Sequence, residues 1–153
     1  MELIDGIETK KLRVIPDERG RLMEMLRSDE PIFEKFGQVY LSTTYPGVVK
    51  GWHAHRLQSD YIVCVRGMIK LVIHDPRDGS PTQGMVNEFF IGEHNPLLVK
   101  IPPGLNHGWK CISEREAYII NAPTMVYNYE NPDENRIDPH DNDIPYDWAT
   151  RDG

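Results

Sequence analysis

Residues 47–67 read GVVKGWHAHRLQSDYIVCVRG, and how this stretch is read decides the fold. One apolar run, Val48–His55, is followed after a polar break by a second, Tyr61–Val65, with Gly47 and Gly67 at the outer ends. Short runs rich in Val, Ile and Tyr between turn residues are strands joined as a hairpin. On a strand, residues i and i+2 share a face, so His53 and His55 project together while Trp52 and Ala54 take the other side. The return strand then brings Asp60 beside the two rings. Such a group suits a metal cage or a proton-transfer site. A set of buried, hydrogen-bonded core residues is the alternative.

Outward from this hairpin the same texture continues. Strands are expected at Gln38–Thr44, Val48–His55, Tyr61–Val65, Met68–His74, Met85–Ile91, Leu97–Ile101, Gly108–Ile112 and Ala117–Asn121, with Met125–Tyr129 a further candidate. Turn residues separate them: Pro46-Gly47, Arg66-Gly67, Asp75 through Gly84, Gly92 through Pro96, and Pro102-Pro103-Gly104. SDEPIFEKF (28–36) is expected to form one or two helical turns, capped by Ser28 or Asp29 with Pro31 in the first turn. Closely spaced short strands point to an all-β sandwich or barrel rather than βαβ units. The polar tail from about 130 to 153 carries Tyr146 and Trp148 and is expected to pack over the body as an irregular segment.

A length of 153 residues fits a single domain, 1–153, with its own core. A formal net charge of −7 argues against a broad nucleic-acid surface, though a local basic pocket can still hold an anion. No apolar run reaches the length of a membrane span, and MELIDGIETKKLRV lacks an apolar signal core, so a cytoplasmic protein is expected. Cys64 and Cys111 lack paired spacing and read as buried, reduced thiols, with a disulfide as the alternative. His74, His94 and His140 read as ordinary surface residues.

A third histidine of interest, His107, follows the sharp turn in PPGLNHGW. The spacing Gly47, His53, His55, Asp60, Gly67 resembles the first motif of the cupin superfamily, with Asp where Glu is usual, and Pro102-x-Gly104-x-x-His107 resembles the second. That resemblance implies a small jelly-roll sandwich. It also implies an alternative in which His53, His55, Asp60 and His107 hold one divalent metal such as Zn, Fe, Mn or Ni.

Further motifs narrow the resemblance. DERG (17–20), KGWH (50–53), VRGMIKLVIHDPRDGSPTQG (65–84), IPPGLNHGW (101–109), SEREA (113–117) and IDPHDNDIPYDW (137–148) occur in order. Together they resemble the dTDP-4-dehydrorhamnose 3,5-epimerase family, whose members act without metal or other cofactor on 4-keto-6-deoxyhexoses attached to a nucleotide diphosphate. The resemblance implies His53 as the base that forms an enolate, Lys50 on the diphosphate, and Arg19 on the nucleotide, often across a homodimer interface. His107 lines the pocket. The family's enolate-stabilising Lys falls at Asp60 and its Tyr acid at Asn121, and its Asp past the closing DxW has no counterpart before Gly153. The HAH pair His53 and His55, with Tyr40 in Gln38-Val39-Tyr40, also resembles the nucleotide-sugar 3,4-ketoisomerases. There the two histidines would move a proton on one face while Tyr40 bonds a sugar hydroxyl. The function expected is therefore a nucleotide-sugar isomerase or epimerase of polysaccharide synthesis. The alternatives are the metal-dependent cupin enzyme and a non-catalytic sugar-binding cupin. Because Asn cannot donate a proton as an acid, exchange is expected at C3 on the His53 face, with little inversion at C5.

Overall fold

The structure, a computed structural model, describes residues 2–152. It contains β1 (Glu8–Lys11), β2 (Val14–Asp17), β3 (Gly20–Met23), β4 (Tyr40–Thr44), β5 (Val49–Ala54), β6 (Asp60–Arg66), β7 (Met68–His74), β8 (Val86–Gly92), β9 (Leu97–Ile101), β10 (Asn106–Cys111), β11 (Ala117–Asn121) and β12 (Asn135–Arg136). Two five-stranded sheets, β1-β9-β6-β11-β4 and β12-β5-β10-β7-β8, form a jelly-roll sandwich, and β2 and β3 make a separate hairpin.

Alternation along β7 shows why the sheets stack. Ile69, Leu71 and Ile73 are fully buried between the sheets with Ile62, Val99, Ile101 and Ile119. Val72 points the other way and is buried too, against Trp52 and Trp148. The outer face of the second sheet is thus covered by the C-terminal tail, where Tyr146 and Trp148 meet edge to face with ring centroids 5.0 Å apart. Burying a large aromatic here contributes roughly 1.5–3 kcal/mol. Strands β7, β9 and β11 have the bounds read from the sequence.

Other expectations are corrected. The expected hairpin of the two strands in 47–67 does not form: β5 joins the second sheet and β6 the first, so Asp60 faces the histidines across the sandwich. Among the described residues there is no helix: 28–32 form consecutive turns, with the Phe33 N–H on the Glu30 carbonyl at 3.0 Å. The buried Tyr61 hydroxyl explains this. It donates to the Ile32 carbonyl at 2.9 Å and accepts the Glu34 N–H at 2.8 Å, supplying partners that a continuing helix would have provided. Residues 125–129 form no strand. Two residues of the tail do, as β12 beside β5. His74 is half-buried, and its Nδ1 lies 3.2 Å from Asn106 Nδ2. Cys64 and Cys111 are buried and free, and burial pushes the Cys64 thiol up to about 12.

The DPRDGSPT stretch is a structural knot. Buried Asp75 accepts from Arg77 Nε at 2.8 Å, Ser80 Oγ at 2.6 Å and Thr82 Oγ1 at 2.7 Å. The Arg77 guanidinium, with the two hydroxyls, holds its carboxyl well below the usual range.

Candidate active site

A cavity of about 780 Å³ opens between the sheets. The first sheet supplies Tyr40, Ser42, Asp60 and Asn121, and the second supplies Lys50, His53, His107, Trp109 and Arg136, with His55 just past the end of β5. Close approach of β5 and β10 creates this wall. His53 and His107 are direct cross-strand partners, and their ring centroids lie 6.2 Å apart. Gly51 and Gly108 permit it: a Cβ added to either would come within 2.9 Å of the other's Cα.

His53 Nδ1 lies 3.1 Å from Glu134 Oε1. A carboxylate only accepts, so Nδ1 carries the proton and Nε2 of the neutral ring is left free to accept one. Burial, aided by neighbouring His107 and Arg136, lowers the His53 pKa despite the opposing pull of Glu134. The ring therefore stays neutral at neutral pH.

His55 is arranged differently. Its Nδ1 faces the Asp133 carbonyl, while its Nε2 lies 3.3 Å from Asp60 Oδ2. Both partners are acceptors, so both ring nitrogens carry protons and the ring is an imidazolium. Burial is the largest single influence and opposes that charge, but the contact with Asp60, the Asp60 charge and Asp133 together raise the His55 pKa. Asp60 is 2% exposed and also accepts from His107 Nε2 at 3.2 Å and Gln58 Nε2 at 2.9 Å. Burial alone would protonate this carboxyl, yet the His107 and His55 hydrogen bonds hold it far below the usual range.

Of the four expected metal ligands, three converge. Ligand atoms of His55, Asp60 and His107 lie within 4.8 Å of one another, whereas His53 turns to Glu134 and stands outside that group. The four-ligand expectation is corrected on this point. The three that converge form a hydrogen-bonded ion-pair cluster.

Asn121 holds the hydroxyl of Tyr40. It is buried, its Oδ1 accepts the Tyr61 backbone N–H at 3.1 Å, and its Nδ2 donates to the Tyr40 hydroxyl at 2.9 Å. Tyr40 and Asn121 are cross-strand partners on β4 and β11. Burial and the nearby Asp60 charge raise the Tyr40 pKa, keeping the phenol protonated. Lys50, at the cavity wall, donates to the Thr43 carbonyl at 2.6 Å and to Ser42 Oγ at 3.1 Å. Arg19 does not line the cavity. It sits in the exposed β2–β3 turn, 2.6 Å from Asp17 Oδ2.

Glu134 and Arg136 were not legible as site residues. Charged residues in a polar tail are ordinary, and a two-residue strand shows no periodicity. β12 is held by paired backbone bonds between Ile137 and Trp52, at 2.9 and 3.0 Å, and by the register Arg136 to His53.

Comparison with known proteins fits this geometry. The family profile described as dTDP-4-dehydrorhamnose 3,5-epimerase matches residues 2–152. The chain is 46% identical over 143 residues to the probable low-salt glycan biosynthesis epimerase Agl13 of Haloferax volcanii, covering 92% of this chain and 91% of that protein. It is 40% identical over 148 residues to the spore coat polysaccharide biosynthesis protein SpsL of Bacillus subtilis, covering 97% and 98% respectively. Among solved structures, a dTDP sugar isomerase from Desulfovibrio desulfuricans G20 superposes with a TM-score of 0.91 at 31% identity, covering 97% of this chain and 94% of that one. A profile match along nearly the whole chain, on a sandwich with the histidine-lined cavity between its sheets, places this protein in the dTDP-4-dehydrorhamnose 3,5-epimerase family of sugar epimerases and isomerases.

Proposed function

We propose that this protein epimerises a nucleotide-diphosphate 4-keto-6-deoxyhexose at a carbon next to the keto group, in the synthesis of a surface or exported polysaccharide. The observation that carries the reading is that His53 and Tyr40 reach one cavity from opposite sheets. A sugar ring lying between the sheets then has a base on one side and a phenol on the other. His53 Nε2 removes the proton that the keto group acidifies. The His55 imidazolium offsets the charge growing on the enolate oxygen, and Tyr40 returns a proton to the opposite face. Tyr40 thus removes the reason for expecting chemistry on the His53 face alone. All these steps are carried by protein side chains, and no cofactor is invoked.

Lys50 serves the diphosphate as a point charge without the bidentate fork of Arg. Arg19 would contribute only from a second copy, which suits a homodimer built on the apolar outer face of the first sheet, where Phe36, Val39 and Leu41 are exposed. No helix among the described residues is long and apolar enough to cross a membrane, and the reaction as proposed takes place in the cytoplasm.

The test is incubation of dTDP-4-keto-6-deoxyglucose with the protein in deuterated water, followed by NMR. Deuterium at the carbon that inverts, lost in His53→Asn, is the expected result. Migration of the keto group without inversion would replace this reading with single-face ketoisomerisation.

A further inference from the structure

We infer that Arg136 reads the substrate's phosphate, and that Glu134, shared between Arg136 and His53, makes the strength of the base depend on whether phosphate is bound. This rests on the nucleotide-sugar reading above and adds a device to it. Three observations carry it. First, Glu134 is divided: Oε1 lies 3.1 Å from His53 Nδ1, and Oε2 lies 2.9 Å from an Arg136 terminal nitrogen. Second, the two ends of this chain differ in access. The Glu134 side chain is 16% exposed and that of His53 22%, whereas that of Arg136 is 71% exposed while still lining the cavity. Third, Arg136 and His53 are direct cross-strand partners, so the strand register sets Arg136 beside His53 at the mouth while its exposed head group stays free to turn.

An exposed guanidinium with one carboxylate partner retains further donors in its planar fork, which match phosphate oxygens. A diphosphate at the mouth competes with Glu134 for it. As Arg136 turns toward phosphate, Glu134 loses its cationic neighbour and its full charge falls on His53. The imidazolium that forms on proton abstraction is then better stabilised. Other charges near His53 are consistent with this. His107 on β10 opposes protonation, His55 is committed to Asp60, and Lys50 is turned to Thr43. Glu134 is therefore the carboxylate paired with His53, and Arg136 is its competing partner. An empty site keeps a weak base, and a site holding the diphosphate of the correct substrate has a strong one.

The experiment uses thymidine diphosphate, which binds without reacting, on the full chain. Calorimetry should show affinity reduced about tenfold in Arg136→Gln and partly restored in Arg136→Lys. NMR titration of the His53 ring, assigned with His53→Asn, should show its midpoint rising when the diphosphate binds. That rise should shrink in Glu134→Gln, and in Arg136→Gln the midpoint should already lie higher without ligand. Arg136→Gln binding as tightly as the parent would overturn the inference alone. So would a ligand-induced rise of undiminished size in Glu134→Gln, because direct attraction by phosphate would then account for it. Failure of the parent protein to bind thymidine diphosphate would overturn both the inference and the substrate reading.

Discussion

Asn121 donates its side-chain N–H to the Tyr40 hydroxyl across the β4–β11 pair, at 2.9 Å. The direction of this bond is fixed from behind, because Asn121 Oδ1 is taken by the Tyr61 backbone N–H. The phenol oxygen must therefore accept, and its own proton is free to point into the cavity.

Two substitutions test that orientation. Tyr40→Phe should lower kcat by about 10²–10⁴, the scale of a lost general acid, and cost about 1–3 kcal/mol for the orphaned Asn121 donor. Asn121→Asp keeps the phenol but turns it around, since an ionised carboxylate only accepts and would draw the Tyr40 proton to itself. Its kcat should fall nearly as far. Steady-state kinetics on the two variants, with thermal melts to confirm folding, decide the matter. An Asn121→Asp enzyme of normal kcat would remove Tyr40 from the acid role.

The pH profile of kcat/KM follows from the two histidines. His53 works when neutral and its pKa is lowered, so activity should persist below the ordinary histidine value of about 6.5 before the acid limb appears. His55 works when protonated and its pKa is raised, so the alkaline limb should lie above that value. Glu134→Gln removes a group that favours protonated His53. The acid limb should then move to lower pH while kcat drops. An unchanged acid limb would mean that Glu134 does not act on the base.

Stability should show the His55–Asp60 pair separately. Asp60 has a depressed folded pKa, so its contribution is present above the unfolded value near 4 and is lost as pH falls through the folded value. His55 has a raised folded pKa, so its contribution is present below about 6.5 and is lost as pH rises through the folded value. Asp60→Asn should cost about 3–5 kcal/mol at pH 6, because His55 loses its buried counter-charge, and should remove the alkaline decline due to His55. Urea melts from pH 4 to 9 measure both effects. A variant as stable as the parent at pH 6 would mean that the cluster carries no net stabilisation.

Exhaustive chelation with EDTA, followed by activity and metal measurements, should leave turnover unchanged within about twofold, because the proton transfers proposed for His53 and Tyr40 use only side chains. Activity lost on chelation and restored by one divalent metal would instead make His55, Asp60 and His107 ligands.

Phe36, 62% exposed, and Val39, 57% exposed, flank an apolar groove on the first sheet. Sedimentation should show a dimer that Phe36→Asp weakens. If Arg19 acts on a neighbouring site as proposed, Arg19→Ala should raise KM in that dimer. A monomeric parent of full activity would exclude both expectations.

The sequence by itself determined the sandwich and the wall of the site. Alternation along 68–74 and the glycine and proline turns need only local chemistry, and the two-residue spacing of His53 and His55 sets them on one face wherever the strand lies. Asp60 was not placed locally: β5 and β6 lie in opposite sheets, so it meets the histidines across the sandwich and not along a hairpin. What tertiary structure alone decided were the partners. Asn121 and Tyr40 are 81 residues apart in the chain, as are His53 and Glu134. Whether an amide is a lost acid or the holder of a phenol depends on which strand lies beside it. Whether Glu134 is a solvated tail residue or the partner of the base depends on β12 closing against β5 through Trp52 and Ile137. Such pairings are set by the register of distant strands, which no local pattern of residues encodes.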